Sequence, residues 1–265
     1  MIKVNEKVVE ITRFPDGTPS FKFDPDFSKL SYPVIKWNYE SNEEMMIIFF
    51  LAKHLKATFK VVGLSMPYIP CARQDRTKNR EDVFFLKYFA DFINSLEFSF
   101  VYVRDPHSSV SEALFNNLCV QSAEIFIRET IDRCDPDIIF YPDEGAMKRY
   151  SSMAPMEYAF GVKRRDWATG KIEGLDVIGD AEAIKGKNIL IVDDICSKGG
   201  TFYHSAKKLK EMGAANIYLY ITHCENTILE GELLDSGLIE KVYTTRSIFT
   251  KEHEKVEFVT AKEEV

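Results

Sequence analysis

Short apolar runs and longer segments with apolar residues three or four positions apart follow each other along this chain. The short runs have the length of buried strands. The longer segments have the spacing of helices that bury one face. The pattern predicts strands at 33–37, 60–64, 98–103, 138–141, 157–163, 188–192 and 217–222. It predicts helices at 45–55, 83–96, 123–134 and 202–212.

Local patterns of polar residues refine this outline. Residues 8–23 form two extended pieces around the turn Pro15-Asp16-Gly17, which predicts a β-hairpin. Ser41-Asn42-Glu43-Glu44 matches a capping box at the start of the first helix. Residues 164–174 combine glycine with charge and are predicted to form a loop.

Alternation of strands and helices indicates parallel sheets covered by helices on both faces. The chain contains too many such pairs for one small sheet. We therefore predict an α/β protein of two halves that meet near residues 118–125, the first over 1–120 and the second over 121–265. Each half is expected to be a mostly parallel sheet flanked by helices, with the hairpin at the N-terminus.

Polar clusters follow the predicted strands at their carboxyl ends, where sheets of this kind bind ligands. A single polar cluster is common in a loop, but a series of clusters at the same end of the strands predicts one site. The clusters are Arg73-Gln74-Asp75-Arg76, Asp105 with His107, Asp143, Lys163 to Arg165, and Asp193-Asp194.

Composition narrows the class of protein. The chain has 265 residues, 45% of them hydrophobic and 28% charged, and a net charge of -7. This balance is typical of a globular protein and argues against a general binder of nucleic acid or of membrane surfaces, both of which need a basic field. Five scattered cysteines without metal-binding spacing suit a reducing compartment. The N-terminus lacks an apolar signal core, so we expect a cytoplasmic protein.

The segment ILIVDDICSKGGTF, from Ile189 to Phe202, carries the clearest chemistry. Two adjacent carboxylates after a strand can accept hydrogen bonds from the hydroxyls of a sugar. The glycine loop then opens a helix, whose free N–H groups and dipole favour a phosphate. The alternative is a plain strand–turn–helix junction with solvated aspartates. The whole string favours a cradle for a sugar phosphate.

Several segments of the chain resemble those of a known family. IVDDICSKGGT resembles the phosphoribosyl pyrophosphate-binding loop of type I phosphoribosyltransferase folds, and MPYIPCARQDR resembles the ATP-site segment of ribose-phosphate pyrophosphokinases. RFPDG, DPH, YPDEGAMKR, KRR, VIGD and a Thr-His pair follow the family's order over nearly the whole chain. The resemblance implies two phosphoribosyltransferase-like halves, an ATP side first and a ribose 5-phosphate side second.

On the ATP side, the resemblance implies that Phe14 and Asp16 bind adenine from a hairpin that reaches a neighbouring subunit. Phe14 taken alone is more often a core residue. Arg73 would reach the triphosphate and Gln74 the base, with Asp75 and Arg76 completing the segment. Without the family, two arginines around an aspartate would be a surface ion-pair cluster. His107 would contact ATP or the metal, although a lone histidine after proline is usually a loop residue.

On the ribose side, the resemblance implies that Asp193 and Asp194 hold the ribose hydroxyls. The 5-phosphate would lie on the glycine loop, which consists of Ser197, Lys198, Gly199, Gly200 and Thr201. Asp143 would be the second metal-site carboxylate. Lys163 and Arg165 would close on the phosphates as a catalytic loop, together with Arg73, although a Lys-Arg-Arg run is most often a solvated face.

The implied reaction transfers the β,γ-pyrophosphoryl group of ATP to the C1 hydroxyl of ribose 5-phosphate, with Mg²⁺ as cofactor and a homo-oligomer, a dimer or larger, as the working form. The alternatives are a phosphoribosyltransferase that uses phosphoribosyl pyrophosphate and a base, and a non-catalytic homologue that assembles with an active synthetase. ARQDR and Lys163-x-Arg165 argue against the first alternative. An intact Lys163 and Arg165 argue against the second.

The chain departs from the family pattern in several places. Ser197-Lys198 stands where Asp-Thr is usual, and Thr18 replaces a glutamate after RFPDG. Ala146 stands where a second glycine is common. We expect phosphate binding to be retained. We also expect the chain to begin at the hairpin and to end before the family's last helix, which bears on oligomer size and on control by phosphate or ADP.

Overall fold

The computed structural model of this protein describes residues 1–22, 31–165, 172–179 and 184–260, and leaves out the side chains of residues 163–165 and 172–175. The chain divides into two compact units, Met1–Gln121 and Ser122–Val265. Each unit contains a mostly parallel sheet with helices, which confirms the predicted α/β class. In the described ranges, no helix has both the length and the apolar character needed to cross a bilayer.

The first unit is built on one sheet and a separate hairpin. Its elements are β1 (Ile2–Val4), β2 (Lys7–Val8), β3 (Ile11–Arg13), β4 (Pro19–Phe21), β5 (Val34–Trp37), α1 (Glu44–Lys56), β6 (Gly63–Ser65), α2 (Phe85–Ser95), β7 (Phe100–Arg104), α3 (Ser109–Leu114) and β8 (Leu118–Gln121). The sheet order is β2-β1-β5-β6-β7-β8, and the last four strands are parallel. β3 and β4 pair antiparallel as the predicted hairpin.

Helix α1 shows how the pattern creates the core of this unit. Its apolar positions bury Ile47, Ile48, Leu51, Ala52 and Leu55 against the sheet. The predicted capping box forms only in part. The Glu44 carboxylate accepts a hydrogen bond from the Ser41 N–H at 3.3 Å, but the residue before the helix makes no side-chain cap.

The second unit holds the longer sheet. Its elements are α4 (Glu124–Cys134), β9 (Ile138–Tyr141), α5 (Glu144–Tyr150), β10 (Tyr158–Arg165), β11 (Ile172–Ile178), β12 (Ile189–Cys196), α6 (Gly200–Glu211), β13 (Ile217–Cys224), a 3₁₀ turn (Asn226–Glu230), β14 (Lys241–Thr244) and β15 (Val256–Phe258). The order is β11-β10-β9-β12-β13-β14-β15. β11 pairs antiparallel with β10, and the other neighbours are parallel.

Strand β12 is apolar on both faces, as a parallel strand covered on both sides must be. Ile189 and Ile191 lie in the core that contains Phe202 of α6. Leu190 and Val192 lie in the other core, with Phe126 of α4. The two helical layers therefore enclose the sheet and fix the strand that carries Asp193 and Asp194.

The structure corrects three predictions. The predicted loop 164–174 is wrong at its ends, because β10 continues to Arg165 and β11 begins at Ile172. β12 does not stop at Val192, since its pairing with β13 continues to Cys196. The chain does not begin at the hairpin, because β1 and β2 precede it and β1 pairs with β5. In the first two cases backbone pairing extends a strand into polar sequence. In the third, β1 is a separate short strand that buries Ile2 and Val4.

Candidate active site

Asp193 and Asp194 lie near the carboxyl end of β12 in different surroundings. The backbone N–H of Asp194 donates to Asp193 Oδ1 at 2.9 Å, and the N–H of Ile195 donates to Asp194 Oδ1 at 2.8 Å. Burial, the carboxylate of Asp194 and that of Asp143 raise the pKa of Asp193 well above its ordinary value. The pair is therefore a site where a cation or a hydrogen-bond donor would be stabilising.

The glycine loop connects this strand to helix α6. Gly199 has a φ of +80°, in the left-handed region that favours glycine, and directly precedes the first residue of α6. The first N–H groups of a helix have no partner inside the helix, so they are available to an anion. The loop thus has the backbone geometry of a phosphate cradle.

The segment after β13 supports this loop from outside. A Cβ atom at Gly231 would lie 1.9 Å from the carbonyl oxygen of Lys198, and one at Gly199 would lie 3.0 Å from Cδ2 of Leu233. Lys198 Nζ lies 3.1 Å from Glu230 Oε2. Residues 230–233, which we call the brace, therefore hold the loop by close backbone contact.

Asp143 and helix α5 occupy the end of the neighbouring strand β9. Asp143 caps the helix, since its Oδ1 accepts a hydrogen bond from the Ala146 N–H at 3.1 Å. Its charge also contributes to the raised pKa of Asp193. The structure thus brings Asp143 and the Asp193-Asp194 pair together, as expected for carboxyl ends of adjacent parallel strands.

Arg149, near the end of α5, was not among the predicted site residues. Its Nη1 donates to Asp194 Oδ2 at 2.9 Å, across 45 positions of sequence. The guanidinium also lies over the Tyr150 ring, 5.5 Å from its centroid. The motif YPDEGAMKR contains this arginine, but its spacing alone does not indicate which carboxylate it meets.

Lys163 and Arg165 lie on the backbone of β10, paired with Leu175 and Ile172 of β11. The register shifts between Arg164 and Arg165, which marks an irregularity in the ladder. Their side chains, and residues 166–171, lie outside the described part of the chain. Their catalytic role stays a prediction.

In the first unit, the hairpin turn presents Phe14 and Asp16. Phe14 is 58% exposed, so the alternative of a core residue is wrong. Asp16 Oδ1 accepts hydrogen bonds from the Thr18 hydroxyl at 2.7 Å and the Thr18 N–H at 3.0 Å, and these bonds lower the pKa of Asp16. Thr18, where the family has glutamate, thus holds this aspartate in place.

The ARQDR segment forms a turn that follows β6. Cys71 adopts a φ of +64°, and its carbonyl oxygen accepts a hydrogen bond from the Gln74 N–H at 2.8 Å. Arg73 and Gln74 are exposed, and Asp75 lies 3.7 Å from Arg76 in an ion pair. A strained, hydrogen-bonded turn is typical of functional loops.

His107 follows β7, in a segment fixed by contacts with β8. Arg104 Nε donates to Gln121 Oε1 at 2.6 Å, and the Asp105 N–H donates to the Gln121 carbonyl oxygen at 2.9 Å. His107 is partly buried. Among the described residues, no group of three or more His, Cys, Asp or Glu side chains is arranged to hold a metal ion.

The second unit, with its aspartate pair, glycine loop and helix N-terminus, defines a protein of the phosphoribosyltransferase fold class. The crystal structure of phosphoribosylpyrophosphate synthetase from Mycobacterium smegmatis has the same fold, with a TM-score of 0.77 at 19% identity over 95% of this chain and 85% of that one.

Sequence relatives identify the family. The ribose-phosphate pyrophosphokinase of Thermococcus kodakarensis is 30% identical over 81% of this chain and 77% of its own length. The chain therefore belongs to the ribose-phosphate pyrophosphokinase family. The enzyme of that name from Thermoplasma volcanium is 27% identical over 94% of this chain and 89% of its own length. Residues 165–262 also match the phosphoribosyl synthetase-associated domain.

Proposed function

We propose that this protein transfers the β,γ-pyrophosphoryl group of ATP to the C1 hydroxyl of ribose 5-phosphate, forming phosphoribosyl pyrophosphate and AMP. The C1 oxygen attacks the β-phosphorus and loses its proton. The bond from the β-phosphorus to the oxygen that bridges it to the α-phosphorus breaks, and AMP leaves with that oxygen. One observation carries the proposal: this chain contains both the ARQDR turn and the aspartate pair with its glycine loop, which can bind a sugar phosphate.

The side chains position the substrates and neutralise negative charge. These two effects account for most of the catalysis of phosphoryl transfer. Asp193 and Asp194 accept hydrogen bonds from the ribose hydroxyls. The N–H groups of residues 197–201 bind the 5-phosphate. Arg73, Lys163 and Arg165 stabilise the negative charge of the reacting phosphates, since guanidinium and ammonium groups match phosphate oxygens.

Adenine recognition is assigned to the hairpin and the turn. The exposed ring of Phe14 offers a stacking face, and the fixed carboxylate of Asp16 accepts from an exocyclic amine. Gln74, exposed beside Arg73, can both donate to and accept from a base edge. Asp75 holds the neighbouring Arg76 by its ion pair.

The carboxylates fit Mg²⁺, which prefers oxygen ligands. Burial and the charges of Asp194 and Asp143 raise the pKa of Asp193, and a bound cation would stabilise its carboxylate. Mg²⁺ usually keeps several waters and binds one or two carboxylates plus substrate phosphates, so a cage of protein ligands is not required. Asp143 and His107 are the residues proposed to hold it. When bound, the ion neutralises charge on the triphosphate.

A direct assay tests the reaction. Purified protein is incubated with Mg²⁺ and ATP, with ribose 5-phosphate present or omitted, and AMP is measured. We expect AMP only when ribose 5-phosphate is present. A parallel incubation with phosphoribosyl pyrophosphate and purine or pyrimidine bases measures pyrophosphate release. Base-dependent pyrophosphate release without AMP formation would establish a phosphoribosyltransferase instead, and inactivity in both incubations would support the non-catalytic homologue.

A further inference from the structure

The two aspartates at the end of β12 differ in their partners. Both carboxylate oxygens of Asp194 accept a hydrogen bond, Oδ1 from the Ile195 N–H and Oδ2 from Arg149. The side chain of Asp194 is only 7% exposed. Asp193 is more exposed than Asp194, and its Oδ1 accepts from a backbone N–H. The adjacent carboxylates are therefore not equivalent.

Arg149 is held in place by its surroundings rather than by Asp194 alone. Its guanidinium packs over the ring of Tyr150, and its Nη1 lies 3.3 Å from the Tyr150 hydroxyl. Tyr150 is 1% exposed, so this platform is part of the core. Helix α5, which carries both residues, starts at the cap formed by Asp143. One short helix thus connects the end of β9 to the Asp194 carboxylate.

Two adjacent carboxylates in a buried place destabilise each other's charge unless a cation lies close to one of them. We propose that Arg149 is a positioning residue that fixes Asp194, so that Asp193 is the member of the pair that meets the ribose hydroxyls most directly. This inference rests on the proposed ribose-phosphate site. It assigns different roles to two residues that the motif presents as a pair.

The test is a double-mutant cycle on substrate binding. Arg149→Met, Asp194→Asn and the double variant are compared with the natural protein by calorimetric titration with ribose 5-phosphate, and separately with ATP. We expect Arg149→Met to weaken ribose 5-phosphate binding by about tenfold or more, the size typical of groups that orient a binding residue. ATP binding should change by less than about twofold, because Arg149 acts on the ribose side.

The double variant distinguishes positioning from direct contact. If Arg149 acts through Asp194, the double variant should bind ribose 5-phosphate within about twofold of Asp194→Asn alone. If the losses of affinity in the two single variants multiply in the double variant, Arg149 contacts the substrate independently. Unchanged binding by Arg149→Met would also overturn the proposal.

Two further variants exclude a general loss of structure. Arg149→Lys keeps the charge and should recover part of the lost affinity. Lys148→Met removes a positive charge from the neighbouring position of α5, where the exposed Lys148 pairs with Glu144 at 2.8 Å, and it should bind like the natural protein. Circular dichroism melting shows whether each variant is folded at the titration temperature. If Lys148→Met loses as much affinity as Arg149→Met, the effect belongs to the helix and the proposal fails.

The same titrations separate this inference from the proposed reaction. Ribose 5-phosphate and phosphoribosyl pyrophosphate are both titrated without ATP, because either reaction class uses a ribose 5-phosphate group. If the natural protein binds them but forms no AMP, the proposed reaction is wrong and the cycle still tests Arg149. If neither binds, the inference about Arg149 is wrong as well.

Discussion

Gly231 lies against the glycine loop, the proposed phosphate cradle, at the carbonyl oxygen of Lys198. Its φ is -95°, which other residues adopt without strain, so only the contact with the Lys198 carbonyl oxygen excludes a side chain. We predict that Gly231→Ala displaces the loop and raises KM for ribose 5-phosphate by about tenfold or more, because small misplacements of binding groups are costly. Steady-state kinetics with ribose 5-phosphate and ATP varied in turn measure this change.

Gly186→Ala is the matched control for that substitution. Gly186 has a φ of +74° and open space around it, so alanine there strains the backbone without meeting a neighbour. We expect a loss of about 1 kcal/mol in the free energy of unfolding and unchanged KM values. An equal rise of KM in both variants would mean that lost stability, not the brace, causes the effect.

Single residues also mark the limit of prediction from sequence. Asp193, Asp194 and the glycine loop are recognisable because their chemistry lies within one short segment. Arg149 and Gly231 act on that segment from elsewhere in the chain, and neither the spacing nor the residue type indicates the contact. The ion pair of Lys198 was equally hidden, since its partner Glu230 belongs to the 3₁₀ turn that follows β13.

At the scale of elements, apolar runs predicted the central strands of both sheets, and β9 was predicted to the residue. Edge strands were missed or shortened because they are less apolar. β11 and the end of β10 contain charged residues and glycine, yet they pair through their backbones. Short strands such as β14 and β15 likewise depend on tertiary pairing that a local pattern does not contain.

The β10–β11 pair, at an edge of the sheet, contains the predicted catalytic residues Lys163 and Arg165. We predict that Lys163→Ala lowers kcat by two orders of magnitude or so, with KM for ATP changed little, because its charge is needed where negative charge develops. Arg164→Ala is the matched control, since the family resemblance assigns its two neighbours and not Arg164. Activity retained by Lys163→Ala would make the assignment of this segment wrong.

The edge strand β15 is tied to the sheet and to α4 by an ion-pair network. Glu257 lies 2.7 Å from Arg133 and 3.1 Å from Lys241. Partial burial raises the pKa of Glu257, but the two ion pairs outweigh it and the pKa lies below its ordinary value. A lowered pKa means that this stabilisation is present above the unfolded pKa, near 4.5, and is lost as pH falls through the folded pKa.

We therefore predict that Glu257→Gln reduces the free energy of unfolding at pH 7 by up to about 1 kcal/mol, a small value because both ion pairs are partly exposed to solvent. The difference should shrink below pH 4.5. Urea unfolding at several pH values measures it, with Glu254→Gln as a control of equal charge at an exposed position. A difference that stays constant with pH would exclude the ion pairs as its source.

At the scale of the whole molecule, the predicted homo-oligomer is open to test through the hairpin. In this family the hairpin is expected to serve a neighbouring subunit. Each site would then combine Phe14 of one chain with Lys163 of another, so Phe14→Ala and Lys163→Ala would affect a given site through different chains. Mixing the two inactive variants after mild dissociation should then restore about a quarter of natural activity in a dimer, because half of the dimers are mixed and each mixed dimer has one intact site. Mixtures as inactive as their components would mean that Phe14 acts within its own chain.

The most direct test of the proposed reaction follows the β-phosphorus of ATP. ATP labelled at the β-phosphorus is incubated with Mg²⁺, ribose 5-phosphate and the protein, and the products are separated. We predict that all transferred label appears in phosphoribosyl pyrophosphate, with unlabelled AMP in equal amount. Label in ADP or in free pyrophosphate, with none in phosphoribosyl pyrophosphate, would contradict it.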